Sequence, residues 1–234
     1  MSVDNDLRRL PLVFVDSLAA PTLTDGDLHH LQKSLRLRLG DPIAVGDGNG
    51  SWAPARLGVV AELTAPVITV AAPAETVGVA FAPVKAERPD FVVQKLVELG
   101  IDRIVVIETR RSVVRWDAAR GAKQHDRWLK IATEACLQSK RLHRPTIVGP
   151  VALDQLGRGD CQLIFAEPGA PMLGRGMFSS SGDSACRIVC IGPEGGWAPE
   201  EIEAQELVGL PGSILRAETA AIAAGVLLAA NRVI

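Results

Sequence analysis

Hydrophobic and polar positions follow two different rhythms along the chain. Up to about residue 75, turn signals recur every eight to twelve residues: Asp25-Gly26, Gly40-Asp41-Pro42 and the run Gly46-Asp47-Gly48-Asn49-Gly50. Short β-like segments lie between them, at 12–15, 43–45, 52–60 and 67–70. That spacing predicts a small barrel or sandwich, with one helix over roughly 27–35. Residues 71–78 hold Ala and Pro without periodicity and read as a linker.

From about residue 79 strands and helices alternate. A strand is expected at 79–83, followed by a helix that opens with Pro89 at its first position. Phe91, Val92, Leu96 and Leu99 then fall at helical spacing, and Gly100 supplies the stop. Ile104-Val105-Val106-Ile107 reads as a buried strand, and a helix of mixed charge follows over 122–140. Further strands are expected at 163–166 and 188–191, helices at 199–208 and 219–233, and a short extended piece at Ile214-Leu215. Such alternation predicts an α/β fold with a mostly parallel sheet covered on both faces.

Composition narrows the function classes. The 234 residues are 47% hydrophobic and 22% charged, which is ordinary for a globular chain. The apolar stretch 219–230 is too short to span a bilayer, and Met1 is followed by charge instead of an apolar leader segment. A soluble, cytoplasmic protein without a membrane partner is expected. Four cysteines (Cys136, Cys161, Cys186, Cys190) form no CxxC pair and read as buried free thiols. Four histidines in no ligand-like spacing leave metal and His-based nucleophilic chemistry without support.

The net charge of −2 conceals a local excess. Residues 110–144 carry ten Lys/Arg against three acids, a balance of +7, which is the footprint of a phosphate-binding face or of a solvated helix. His29, His30, Lys33, Arg36 and Arg38 form a smaller cluster free of acids.

Three segments could carry chemistry. After the strand at 188–191 comes Gly192-Pro193-Glu194-Gly195-Gly196, in which three glycines in five residues permit positive φ and close approach of a ligand to backbone. Neither GxGxxG nor GxxxxGK[ST] occurs, so dinucleotide and P-loop readings lose their main support. The run from Leu210 to Ala220 places Arg216, Glu218 and Thr219 between an apolar segment and a helix; Arg216 would need a carboxylate or a ligand. In the third segment helical spacing brings Glu134, Gln138 and Arg141 to one face.

The order KxERxxFxxQKxxELG (85–100), EAxxQSxR (134–141), GPEGG (192–196) and ILRxETA (214–220) resembles the RsmE family of ribosomal RNA methyltransferases. The stretch HHLQKSLRLRLGD (29–41) and the DGNG after it look like that family's PUA-like barrel. The resemblance implies residues 1–75 as an RNA-binding PUA-like barrel and 76–234 as a SPOUT domain. The parallel sheet of the latter has helices on both faces and is threaded into a trefoil knot. It implies S-adenosylmethionine as cofactor and N3 of a uridine in 16S ribosomal RNA, in the decoding region, as the methyl acceptor. The substrate would be bare RNA or the assembled small subunit, and the protein would be a homodimer whose active site draws on both subunits.

Residue by residue, the resemblance places the cofactor at Glu167, Ile191, Gly192, Pro193, Glu194, Gly195, Gly196, Leu210, Gly212, Ile214, Leu215 and Arg216. Methyl transfer to N3 needs removal of a weakly acidic proton and stabilisation of the resulting anion. Glu194 or Glu134 is a candidate base, and Arg141 or Arg216 a candidate cation. RNA contacts are expected from His29, Lys33, Arg36, Arg38, Lys85, Arg88, Arg110, Arg111 and Gln138. Two departures stand out: Ala198 replaces a small hydroxyl residue that would cap the next helix, and Pro211-Gly212 replaces Leu-Gly-x. A non-catalytic RNA-binding protein, or a methyltransferase acting on another RNA base, remain as alternatives. Intact glycines in GPEGG and an intact ILRxETA argue against the first.

Overall fold

The computed structural model describes residues 7–83, 88–156, 161–174 and 186–232. They fall into two compact units. The first holds residues up to Ala72 together with Thr133–Arg144, and the second holds Pro73–Ala132 with Pro145 onward.

In the first unit a five-stranded sheet runs in the order β1 (Leu12–Phe14), β2 (Pro42–Gly46), β3 (Ser51–Arg56), β4 (Glu62–Leu63), with β5 (Ile68–Thr69) also paired to β3. Only β1 and β2 are parallel. Alternation sorts the side chains. Val13, Ile43, Val45, Ala53 and Ala55 pack on one face with Leu23, Leu31 and Leu57. Leu12, Ala44 and Trp52 point to the other, where Leu137 and Leu142 meet them. That second apolar face explains why 133–144 belongs to this unit, although a linear division at 75/76 places it elsewhere. The helix expected at 27–35 is α1 (Asp25–His29), capped reciprocally by Thr24 and Asp27, continuing as a π-helical stretch, His30–Ser34.

The second unit is built on six parallel strands in the order β11-β9-β10-β6-β7-β8. These are β6 (Thr76–Phe81), β7 (Arg103–Glu108), β8 (Thr146–Ala152), β9 (Gln162–Ala166), β10 (Cys186–Ile191) and β11 (Glu206–Val208). The helices are α2 (Arg88–Glu98), α3 (Ala118–Ser139, whose residues from Thr133 belong to the first unit), α4 (Leu153–Leu156), α5 (Pro199–Ile202) and α6 (Ala217–Asn231). Ala80, Val105, Ile107, Phe165, Ile188, Cys190 and Trp197 form one core cluster, to which α4 and α5 add Leu153, Leu156 and Ile202. Helix α6 packs on α2 and on strands β6 and β10, with Gly225 seated against Leu96 and Leu99. No helix of the described residues is long and apolar enough to cross a membrane.

Several expectations are corrected. The helix expected over 199–208 ends at Ile202, because Glu203 leaves the helical region at ψ 126° and Ala204 follows at φ 58°, and Glu206–Val208 instead forms the edge strand β11 on β9. Ile214-Leu215 forms no strand; Ile214 is 87% exposed and finds no sheet edge. Strand β3 stops at Arg56 instead of reaching 60, and β6 starts at Thr76, within the expected linker. Strand β8 escaped notice because its Gly149-Pro150 reads as a turn; as the outermost strand it tolerates a residue that cannot donate. The cysteines are not all free: Cys161 and Cys186 are joined in a disulfide, while Cys136 and Cys190 are buried thiols.

Candidate functional site

Ligands of parallel α/β sheets bind beyond the carboxyl ends of the strands. At the ends of β9, β10 and β11 three loops enclose a cavity of about 410 Å³. Its walls come from 166–169, from 191–197 and from 210–220. Ten of the twelve residues expected at the cofactor line it: Glu167, Ile191, Gly192, Pro193, Glu194, Gly196, Leu210, Gly212, Ile214 and Leu215. Gly195 and Arg216 do not. Sequence reasoning did not name Pro168, Gly169, Trp197 or Ser213 individually; of these only Ser213 falls inside a segment it singled out, the run from Leu210 to Ala220.

Backbone shape accounts for the glycines. A Cβ on Gly192 would lie 2.9 Å from the Trp197 ring, so only glycine lets the indole close over the start of the loop. The Trp197 Nε1–H donates to the Ala166 carbonyl at 3.0 Å, and the ring meets Phe165 edge-on at 5.0 Å. One side chain thus ties the β9 loop to the β10 loop. The β9 loop is in turn fixed to β11 by the Glu167 N–H to the Val208 carbonyl, 2.9 Å.

A second set of contacts docks the loop after β7 onto GPEGG. The Arg111 guanidinium donates to the Gly195 carbonyl at 3.0 Å. Glu201 accepts from the Arg110 N–H through Oε1 and from the Ala198 N–H through Oε2, each at 2.8 Å. The Arg110 guanidinium pairs with Glu200 at 3.1 Å. The missing hydroxyl at Ala198 therefore removes one half of a capping box, and Glu201 supplies the other.

The four candidate catalytic residues divide between the units. Glu194, exposed on the cavity wall, and Arg216 lie in the second unit. Arg216 is the N-cap residue of α6: its carbonyl accepts from the Ala220 N–H at 2.8 Å, while its side chain makes no capping bond and the residue is exposed. Glu134 and Arg141 lie in the first unit. Glu134 is exposed on α3, as is Gln138. Arg141 follows the helix end: its Nε–H donates to the His143 carbonyl at 2.7 Å, and burial lowers its pKa. The neighbouring Cys136 thiol is pushed up to about 11 by burial, against the opposing pull of Arg141 and Arg144.

Among the expected RNA contacts, His29, Lys33, Arg36 and Arg38 are exposed on and after α1 in the first unit, and Arg110 and Arg111 are exposed in the second. Lys85 lies outside the described residues, as does the side chain of Arg88. The +7 stretch divides between the units: +5 over residues 110–132 and +2 over 133–144.

The sequence and the fold find counterparts in known proteins. A family model described as an RNA methyltransferase domain matches residues 71–229, and an RNA methyltransferase PUA domain model matches 23–62. The ribosomal RNA small subunit methyltransferase E of Synechocystis sp. is 32% identical over 217 residues, covering 86% of this chain and 70% of that protein. A Neisseria gonorrhoeae protein of the same description, solved bound to S-adenosyl methionine, is 28% identical with a TM-score of 0.78, covering 94% of this chain and 96% of the other. A putative methyltransferase from Legionella pneumophila, solved with bound SAM, gives 28% and 0.80 over 95% and 98%. The chain belongs to the ribosomal RNA small subunit methyltransferase E family.

Proposed function

We propose that this protein transfers a methyl group from S-adenosylmethionine to N3 of a uridine in 16S ribosomal RNA, in the decoding region of the small subunit. The observation that carries the reading is the cavity of about 410 Å³ at the carboxyl ends of β9, β10 and β11. Its lining suits the cofactor. Ile191, Leu210, Ile214 and Leu215 offer apolar surface to an adenine, the glycine loop offers backbone groups, and Glu167 and Glu194 offer carboxylates to hydroxyl or cationic groups. Bound there, S-adenosylmethionine supplies an electrophilic methyl group on a sulfonium.

The chain's own residues then have three tasks: to fix the cofactor, to hold the uracil in line with it, and to manage one proton. We assign proton removal from N3 to Glu194, which lines the cavity and is exposed, and stabilisation of the developing charge on the uracil carbonyls to Arg216. Glu134 and Arg141, on the EAxxQSxR segment, are the alternative base and cation. A homodimer drawing on both subunits, and the trefoil threading of the sheet, belong to the same reading. Phosphate contacts from His29, Lys33, Arg36 and Arg38 hold the RNA without reading its sequence. A base in a paired helix must be unstacked, at roughly a few kcal/mol.

The test has two arms. Calorimetric titration with S-adenosylmethionine is expected to show saturable binding, weakened at least tenfold by Gly192→Val. Mass-spectrometric mapping of 16S ribosomal RNA from cells lacking the protein is expected to show one unmethylated uridine, restored by the wild type and not by Glu194→Gln. Binding without any change in ribosomal RNA methylation overturns the substrate; absence of binding overturns the enzyme.

A further inference from the structure

The four cysteines fall into two chemical classes. Cys136 and Cys190 are buried, and burial raises the pKa of both thiols, so neither is nucleophilic near neutral pH. Cys161 and Cys186 are placed differently: they are joined to each other and neither is fully buried. Gln162 and Arg187 are register partners of the parallel strands β9 and β10, so the residues just before them stand side by side, with Cα atoms 4.5 Å apart. Both are half-buried, and Cys161 borders an open hollow of about 730 Å³ at the margin of the core cluster, where Leu163 and Phe165 also line it. The Arg103 guanidinium donates to the Cys161 sulfur at 3.5 Å. A cation at that distance stabilises a thiolate and so favours thiol–disulfide exchange.

We propose that Cys161 and Cys186 form a reversible redox site, cycling between dithiol and disulfide by exchange with a small-molecule thiol such as glutathione, with Cys161 as the exchanging sulfur. In the oxidising direction the Cys161 thiolate attacks one sulfur of the small disulfide and expels one thiolate. The Cys186 thiolate then attacks the Cys161 sulfur of the mixed disulfide and expels the second. Two protein thiols lose two electrons and two protons, and the small disulfide becomes two thiols. Reduction runs back along the same path.

The position of the bond gives the exchange a consequence. It spans 25 residues of sequence, and the enclosed segment includes Glu167, Pro168 and Gly169, one wall of the cavity at the strand ends. Closing that loop restricts the unfolded chain and staples the residue before β9 to the first residue of β10. The inference stands on geometry separate from the methyl-transfer reading and does not depend on it.

The test uses the full-length protein equilibrated in glutathione buffers of graded ratio, then alkylated and mapped by mass spectrometry. The expected result is a 161–186 cross-linked peptide that appears and disappears over the buffer series without denaturant, while Cys136 and Cys190 stay unlabelled in the native protein. The Tm of the oxidised form is expected to exceed that of the reduced form by roughly 10 °C. In Cys186→Ser, glutathione disulfide is expected to leave one glutathione on Cys161; in Cys161→Ser, Cys186 is expected to react at least tenfold more slowly. Arg103→Gln should slow capture at Cys161 in the Cys186→Ser background, and the rate difference should vanish at high pH, which a purely structural role of Arg103 would not produce. Thiols that stay reduced throughout, a bond that resists native reduction, or preferential capture at Cys186 each overturn the proposal.

Discussion

Lys140→Gly should stabilise the protein, although it removes a long side chain and replaces a good helix former. Helix α3 ends at Ser139, and Lys140 takes φ 60°, in the left-handed region. The Arg141 N–H returns to the Cys136 carbonyl at 2.9 Å, which makes Lys140 the C′ residue of a Schellman motif. Helix α2 ends the same way: the Ile101 N–H bonds to the Leu96 carbonyl at 3.0 Å around Gly100, at φ 84°. One helix therefore uses glycine where the backbone turns left-handed, and the other uses lysine. The left-handed conformation costs a non-glycine residue about 1–2 kcal/mol, and glycine returns about 0.4–1 kcal/mol through unfolded-state entropy. The net gain is about 0.5–1 kcal/mol, or roughly 1–4 °C in Tm for a chain of this size.

Burial also lowers the Lys140 pKa. The folded state then holds fewer protons than the unfolded state in the window below the ordinary lysine pKa. Lys140 therefore destabilises the native protein near neutral pH, and this penalty fades as pH rises toward that value. Urea denaturation of wild type and Lys140→Gly at pH 7 and pH 10 measures both effects; the gain should be larger at pH 7. Gly100→Ala is the mirror experiment, with nothing within 4 Å of the added Cβ, and should lose about 0.5–1 kcal/mol. A Lys140→Gly variant less stable than wild type, or a neutral Gly100→Ala, refutes the reasoning.

Glu201→Gln keeps one acceptor oxygen but turns an amide NH₂ toward either the Ala198 or the Arg110 N–H, so stability should fall by about 1–2 kcal/mol and S-adenosylmethionine should bind more weakly, read by thermal melts and calorimetry. Trp197→Phe deletes the Nε1–H that holds the Ala166 carbonyl and should loosen cofactor binding at least threefold in the same titration, with little change in kcat. The Cys136 thiol titrates at about 11, above its ordinary value of 9.0, so between those pH values the folded state holds the proton longer and stability falls as pH rises. Cys136→Ala should flatten that alkaline decline; a decline of equal steepness in both proteins contradicts it.

Much of this architecture was legible because periodicity and punctuation are local properties. The strands around Ile104–Ile107 and Ile188–Ile191 are apolar runs long enough to announce themselves. The helix with Pro89 in its first turn, closing before Gly100, carries both of its boundary signals. What escaped depended on neighbours. Strand β11 is three residues that become a strand only because β9 presents an edge to Leu207 and Val208. Strand β8 carries a proline that only its outermost position excuses. The Cys161–Cys186 pair is 25 residues apart in sequence, and only strand register makes them adjacent. At the cavity, GPEGG stood out through its glycines, whereas Trp197 is a single aromatic whose role comes from facing Gly192 and Ala166 together.

The positive stretch at 110–144 shows how folding revises a count of charges. Ten cations there suggest ten possible phosphate partners. Several already have work inside the protein: Arg111 holds the Gly195 carbonyl, Arg115 the Arg110 carbonyl, Arg127 the Asp90 carboxylate and Arg141 the His143 carbonyl. Arg144 lies over the Phe14 ring at 4.4 Å. A cation that already accepts a desolvated or bonded position must surrender that contact before it can neutralise a phosphate. Arg110 and Arg120, whose side chains are 69% and 79% exposed in surface ion pairs, give up little by exchanging partners, because such pairs contribute little in water. Arg111 gives up more, since it would release the loop that frames the cavity. The charge read from sequence is therefore an upper bound on RNA contacts, and the cations nearest GPEGG are the ones whose engagement by RNA would be felt at the cofactor.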